Sequence, residues 1–130
     1  MELVKRDNKI IGERGEQIAA NYLHEKNYQI LESNFSTRFG EIDLVCRKDN
    51  IIVFVEVKTK TSDEFGEPWE MINPRKWQQV KNMAQVYLTK NGLGEAACRI
   101  DVVGVWLDLE HEVTKIEHWE NVTELDLIGR

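Results

Sequence analysis

One short stretch of this chain places charged residues at regular spacing among strand-forming apolar ones: GEIDLVCRKDNIIVFVEVKTK, residues 40–60. The pattern predicts two strands joined by a turn at Asp49-Asn50. Because side chains alternate along a strand, Glu56 and Lys58 share a face of the second strand, and Asp43 pairs roughly across from Glu56. By the same alternation, one face of the first strand is predicted to hold Ile42, Leu44 and Cys46. The sequence therefore predicts that Asp43, Glu56 and Lys58 converge on one small patch.

Such a patch has the composition of a metal and phosphate site. Two carboxylates ~4 Å apart repel by roughly 4 kcal/mol at an effective dielectric constant near 20, and a divalent cation offsets that repulsion. Lys58 would then orient a water molecule or stabilise charge that builds on a phosphate. The alternative is a surface ion pair on an amphipathic hairpin, which contributes little. The site is favoured because the charges interrupt an apolar strand and because Glu16, near the edge of the first helix, offers a third carboxylate.

The surrounding pattern predicts seven elements in the order α-β-β-β-α-β-β, which form a mixed five-stranded α/β sheet flanked by helices. The third strand is apolar on both faces through Val57, which is typical of a central position. Asn73-Pro74 is a helix start, with Asn73 as N-cap. The predicted elements are a helix at 9–26, strands at 28–35, 41–48 and 51–60, a loop at 61–73, a helix at 74–90, and strands at 98–109 and 112–121.

The length of 130 residues predicts one domain, which we assign to residues 1–121. Three interpretations remain open for the tail, 122–130: a short helix, a docking segment or a disordered end. The apolar runs are too short for a membrane span, and the amino-terminal residues lack the apolar stretch of a signal peptide, so we expect a cytoplasmic protein. The net charge of −6 counts against a general nucleic-acid coat protein but not against a nuclease that holds a cation.

Several single residues carry weaker predictions. Cys46 and Cys98, the only cysteines, lie in apolar runs and are predicted to be buried. Asp101 interrupts an apolar strand, either as a further acid near the site or as the buried partner of an arginine. Two aromatic residues of the 61–73 loop would either stack on a base or cap the end of the sheet: Phe65 and Trp69. The histidines are predicted to lie at the surface: His24, His111 and His118.

The combination of GEIDL and FVEVKT resembles the YraN family, also called UPF0102, within the PD-(D/E)xK nuclease superfamily. The resemblance spans most of the chain up to about residue 121. The matching segments are GERGEQIAANYL (12–23), NYQILESNF (27–35), FGEIDLV (39–45), VFVEVKTK (53–60), FGEPWEMINPRK (65–76) and CRIDVVGV (98–105). The resemblance to this family implies a restriction-endonuclease-like fold and hydrolysis of phosphodiester bonds in DNA with Mg²⁺ or Mn²⁺. The superfamily's proline before the aspartate is Ile42 here.

The resemblance also implies roles for individual residues. Asp43 and Glu56 would bind the metal together with the Val57 carbonyl, Lys58 would be the catalytic lysine, and Glu16 would match a first-helix glutamate that assists. Residues beside the site would contact the nucleic acid: Lys60, Arg75, Lys76 and Gln79. The substrate would be branched or single-stranded DNA, and resolvases of this type act as homodimers. The rival hypothesis is a nucleic-acid-binding or adaptor module that keeps the fold and performs little chemistry.

Overall fold

A computed structural model describes residues 2–61 and 72–128. The predicted order of elements is confirmed, with one further short helix at the end of the chain. The elements are α1 (Glu2–Glu25), β1 (Gln29–Thr37), β2 (Gly40–Lys48), β3 (Ile51–Lys60), α2 (Pro74–Lys90), β4 (Cys98–Leu107), β5 (Val113–Trp119) and α3 (Glu124–Ile128). The helix predicted at 9–26 begins seven residues earlier than predicted and ends at Glu25. Among the described residues, no helix is long and apolar enough to cross a membrane.

The five strands form one mixed sheet in the order β1-β2-β3-β4-β5. The pairs β1–β2, β2–β3 and β4–β5 are antiparallel, and β3–β4 is parallel. The central position predicted for β3 is therefore confirmed. Helix α1 covers one face of the sheet and α2 the other, so β3 contributes to two cores, with Phe54 in the core under α2 and Val55 in the core under α1.

Local sequence signals set the boundaries of the elements that hold the predicted site. Asp49 and Asn50 have φ of 50° and 68°, so they form the two-residue hairpin turn in which both residues are left-handed. The Asn73 side chain accepts a hydrogen bond from the Lys76 N–H at 2.8 Å, which confirms the predicted N-cap of α2. These two features fix the residues at which β3 and α2 begin.

Helix α1 lies close to β3 because its contact face is made of small residues. Ala19 is fully buried, and a Cβ atom added at Gly15 would overlap the side chain of Thr59. Glycine is therefore required at position 15 by space rather than by backbone conformation. This close approach brings the next residue, Glu16, towards the end of the sheet where Asp43 lies.

Three predictions differ from the structure or lie outside it. Cys98 is exposed, so the prediction that both cysteines are buried is wrong for the one at the start of β4, whereas Cys46 is fully buried. Ile42 packs with Phe35 in the core under α2, so it does not share a face with Leu44 and Cys46. Phe65 and Trp69 lie outside the described residues.

Residues after β5 complete the core under α2. The Trp77 indole N–H donates to the Val122 carbonyl at 2.9 Å, and the Val122 N–H donates to the Ile100 carbonyl at 2.7 Å. Leu127, in α3, is 1% exposed in the same core. Of the three interpretations left open for the tail, the structure has a short helix at Glu124–Ile128.

Candidate active site

The site begins where β2 separates from β3. Their ladder ends at the pair Leu44 and Val55, whereas β2 continues to pair with β1 as far as Gly40. Asp43 is the first residue beyond the β2–β3 ladder, and its Oδ2 accepts a hydrogen bond from the Val57 N–H at 2.7 Å. The carboxyl group of Asp43 therefore stands where a main-chain partner would continue the ladder. The same divergence explains why Ile42 turns into the core under α2.

Asp43 and Glu56 form a buried pair of carboxyl groups. Only 8% of Asp43 and 3% of Glu56 is exposed, and the two side chains are close enough for Glu56 to help raise the pKa of Asp43. The Lys76 Nζ atom lies 3.3 Å from Glu56 Oε2 and supplies a positive charge to the pair.

The surroundings of Asp43 raise its pKa to about 8. Burial is the largest cause, followed by the hydrogen bond to Glu56 and the charge of Glu56. The Val57 N–H and the Lys76 ammonium act in the opposite direction and do not offset the rise. At neutral pH the pair therefore holds a proton that a cation of higher charge could replace.

Glu16 is a third carboxyl group whose titration is linked to Asp43. Its pKa is raised to about 7, first by burial and then by the negative charges of Asp43 and Glu41, while a hydrogen bond with the Asn34 side chain lowers it. Glu16 also lines an open pocket of about 220 Å³ with Ser33 and Asn34. The structure thus places Glu16 within electrostatic reach of the pair, at the rim predicted from its helix position.

The predicted lysine, Lys58, is half-buried on β3, two residues after Glu56. Within the described residues it forms no salt bridge with Asp43 or Glu56, and the charge beside Glu56 comes instead from Lys76. Lys76 was predicted to contact phosphate, and in the structure it is bound to the carboxylate of the site. This pairing was missed because the start of α2 was predicted from its capping signal, which does not give its distance from β3.

The other predicted nucleic-acid contacts are dispersed around the site. Gln79, on α2, donates from Nε2 to the Phe39 carbonyl at 2.9 Å and so binds to the β1–β2 turn. Arg75 is exposed and lines a groove together with Lys76 and Gln79. Lys60 is half-buried at the end of β3. Three of the four residues therefore lie on α2, and of these Lys76 is the one that reaches the carboxyl pair.

The donors at this site match the preferences of Mg²⁺ or Mn²⁺. These ions favour oxygen ligands, use one or two carboxylates, and leave other positions for water and phosphate. Asp43 and Glu56 are two such carboxylates, and the effect of Glu56 on the pKa of Asp43 indicates that they lie side by side. The residues present therefore fit a divalent cation.

A second polar cluster lies on the opposite face of the sheet. Asp101 is fully buried; it binds Arg99 at 3.0 Å and His118 Nε2 at 2.7 Å, and its Oδ1 accepts from the Asn121 N–H at 2.9 Å. Its hydrogen bonds to His118 and Arg99 overcome burial and hold the pKa of Asp101 below its usual range. The alternative of an arginine partner for Asp101 is therefore the one observed.

The prediction of a surface position is wrong for His118. Its side chain is only 7% exposed, and its Nδ1 lies 3.4 Å from the Tyr22 hydroxyl. Asp101, His118 and Glu120 have ligand atoms close enough together to hold a metal ion. However, the Arg99 guanidinium already binds both Asp101 and Glu120, so this cluster is a closed ion-pair network. An aspartate in an apolar strand signalled that partners were needed, but not that one was a histidine.

The fold and the site define a small α/β protein with a buried carboxyl pair where β2 and β3 separate. Comparison with known proteins gives its family: residues 15–105 match the model of the uncharacterised protein family UPF0102, and the chain belongs to that family.

Relatives in that family match along most of their length. The chain is 47% identical over 111 residues to a UPF0102 protein of Syntrophomonas wolfei, covering 85% of this chain and 95% of that protein. It is 44% identical over 115 residues to one of Caldanaerobacter subterraneus, covering 88% and 94%. It is 41% identical over 121 residues to one of Geotalea uraniireducens, covering 93% and 94%.

Proposed function

We propose that this protein is an endonuclease that hydrolyses phosphodiester bonds in DNA with Mg²⁺ or Mn²⁺. The observation that carries the proposal is the buried pair of Asp43 and Glu56, in which burial first, and then the neighbouring Glu56, raises the pKa of Asp43 to about 8. Perturbed carboxyl groups at the end of a sheet are typical of functional sites, because such an arrangement costs stability. The resemblance of the flanking segments to PD-(D/E)xK nucleases supports the same class.

The proposal assigns a role to each residue of the site. Asp43 and Glu56, with the Val57 carbonyl, would hold the cation, which when bound supplies positive charge to a phosphoryl oxygen. Lys58 follows Glu56 on β3 and would stabilise negative charge on the phosphate. Glu16, with a pKa of about 7, can hold or release a proton near neutral pH, which suits an assisting acid or base.

The proposal also covers the substrate, the oligomeric state and the location of the protein. The substrate would be branched or single-stranded DNA, and cutting two strands symmetrically would require a homodimer. A protein that acts on DNA would work in the cytoplasm. Sedimentation of the protein with and without a four-way junction measures whether two copies assemble on it.

The rival function is an adaptor or nucleic-acid-binding module that keeps the fold. One observation favours it: Lys76 already neutralises Glu56, so the pair has a cationic partner from its own chain. In that case the pair would be a structural feature, and cation binding would be weak. The net charge of −6 is compatible with either function.

A cleavage assay distinguishes the two functions. Purified protein is offered labelled four-way junctions, flaps, single strands and duplexes with Mg²⁺ or Mn²⁺. The nuclease predicts cleavage of at least one substrate by the wild type and none by Asp43→Ala or Glu56→Ala, both of which should remain folded. The matched control is Glu110→Ala, at an exposed position in the β4–β5 turn, which should cleave like the wild type. Cleavage that persists in Glu56→Ala would refute the site, and binding without cleavage in any condition would support the adaptor.

A further inference from the structure

An open groove of about 750 Å³ runs along α2 beside the carboxyl pair. Although the chain carries a net charge of −6, no carboxylate is among the described residues that line this groove. Its lining combines cations, amides and apolar side chains, including Phe39, Arg75, Lys76, Gln79, Asn82 and Met83. The groove is therefore chemically unlike the acidic protein around it, and its composition suits a ligand with anionic groups and flat apolar faces.

Phe39 is an exposed aromatic ring on a rigid turn. It is 65% exposed between β1 and β2, although an apolar ring is more stable when it is buried away from water. The turn is held by the hydrogen bond from Gln79 Nε2 to the Phe39 carbonyl and by the bond from the Phe39 N–H to Thr37 Oγ1 at 3.1 Å. Gly40 has φ of 145°, and an added Cβ would lie 2.7 Å from Gln79 Nε2. The fold thus fixes the backbone that presents the ring.

Positively charged side chains lie beside the Phe39 ring and along the same groove. The Arg38 guanidinium lies 4.9 Å from the centre of the Phe39 ring, and Arg75 lines the groove from the first turn of α2. Lys76 also lines the groove, and its ammonium reaches Glu56. One side chain therefore joins the groove directly to the carboxyl pair, so a strand that occupies the groove would pass beside the site.

We infer that this groove binds single-stranded DNA, with one unpaired base stacked on Phe39 and the flanking phosphates near Arg38 and Arg75. A free base face matches an exposed aromatic ring, and stacking of this kind tolerates any base. A duplex hides its base faces, so it would gain nothing from the ring. The inference rests on the proposed function, because it supplies the strand that the carboxyl pair would cut.

The test is fluorescence anisotropy of a labelled 15-nucleotide dT strand in EDTA at low salt, where no divalent cation is available. Stacking worth ~1–3 kcal/mol per base predicts that Phe39→Ala weakens binding of the strand by about 5- to 150-fold. Phe39→Trp should bind within about twofold of the wild type, because it keeps an aromatic face. The matched control is Leu109→Ala, which removes an apolar side chain that is 89% exposed at another turn and should change nothing.

A duplex of mixed sequence forms the second arm. Phe39→Ala should leave any duplex binding unchanged, and Arg75→Gln should weaken single-strand binding and reduce its salt dependence by about one phosphate contact. Wild-type-like binding of the strand by Phe39→Ala, an equal loss on duplex, or no strand binding by the wild type would overturn the inference. Because no cation is present, the binding result is independent of cleavage. Cleavage without Phe39-dependent binding would support the nuclease and overturn the groove. Phe39-dependent binding without cleavage would support the groove and overturn the nuclease.

Discussion

Replacing Asp43 by asparagine should make the folded protein more stable at high pH. The reason is that the buried negative charge of Asp43 lowers stability and is not required for folding. Asparagine keeps the side-chain oxygen that accepts the Val57 N–H, and it removes the second negative charge beside Glu56. An unperturbed aspartate has a pKa near ~3.9, whereas the pKa of Asp43 in the folded chain is about 8.

The size of the effect follows from this difference. Between pH 4 and pH 8 the folded state keeps a proton that the unfolded state has lost, so the free energy of unfolding of the wild type falls as pH rises, and it levels off above pH 8. Each pH unit over which the folded state alone keeps the proton lowers the free energy of unfolding by ~1.36 kcal/mol, so the upper limit of the loss between pH 5 and pH 9 is about 4 kcal/mol. Two carboxylates at ~4 Å give a similar figure of roughly 4 kcal/mol. We therefore expect Asp43→Asn to raise the free energy of unfolding at pH 9 by about 2–4 kcal/mol.

The assay is urea unfolding at pH 5, 7 and 9 in EDTA, followed by tryptophan fluorescence. Asp43→Asn should match the wild type at pH 5 and exceed its free energy of unfolding by about 2–4 kcal/mol at pH 9. The control is Asp49→Asn, at an exposed turn position with φ of 50° that asparagine tolerates. A variant that loses stability equally at all three pH values would mean that Asp43 serves the fold, and the argument for a site would fail.

Three further predictions use other contacts of the structure. Gly15→Ala should lower the free energy of unfolding in urea by about 1–3 kcal/mol, because its Cβ would overlap Thr59. Gly12→Ala, which has no atom within 4 Å of the added Cβ, should not destabilise the protein. Equal values for the two variants would contradict the close packing of α1. Lys76→Met should lower, by roughly tenfold, the Mg²⁺ concentration needed for half of the maximal thermal shift, because it removes a competing cation from Glu56. An increase in that concentration would argue that Lys76 does not compete with the ion. Asp101→Asn should lower the free energy of unfolding by about 3–5 kcal/mol near pH 7, where the lowered pKa of Asp101 keeps the wild-type side chain charged. This loss should shrink below pH ~4, where Asp101 begins to be protonated. A loss that stays constant with pH would contradict the ion-pair account.

The hairpin and its neighbours were predictable because their signals are local. The alternation of residues 41–60 indicated two strands, Asp49-Asn50 marked the turn, and Asn73-Pro74 marked the start of α2. The approach of Asp43 to Glu56 followed from counting residues back from that turn. Glu16 followed from its place at the edge of the first helix's apolar stripe, and the resemblance gave it an assisting role; burial and the charge of Asp43 raise its pKa to about 7.

The failures concern contacts between elements, which a local sequence pattern does not report. Periodicity assumes that a strand keeps one register, and it therefore missed the separation of β2 from β3 that sends Ile42 into the other core. The salt bridge between Lys76 and Glu56 joins α2 to β3 and has no local signal. Likewise His118 was assigned to the surface because its partner, Asp101, lies on the neighbouring strand.

The central claim is that Asp43 and Glu56 form a cation site, and Mg²⁺ binding tests it most directly. Thermal unfolding of the wild type and Asp43→Asn at pH 8.5 is compared with and without Mg²⁺, with Ca²⁺ as a second ion. The account predicts that Mg²⁺ raises the melting temperature of the wild type and leaves Asp43→Asn unchanged, because only the wild type has two carboxylates to neutralise. Equal shifts in both proteins, or no shift in the wild type, would contradict it.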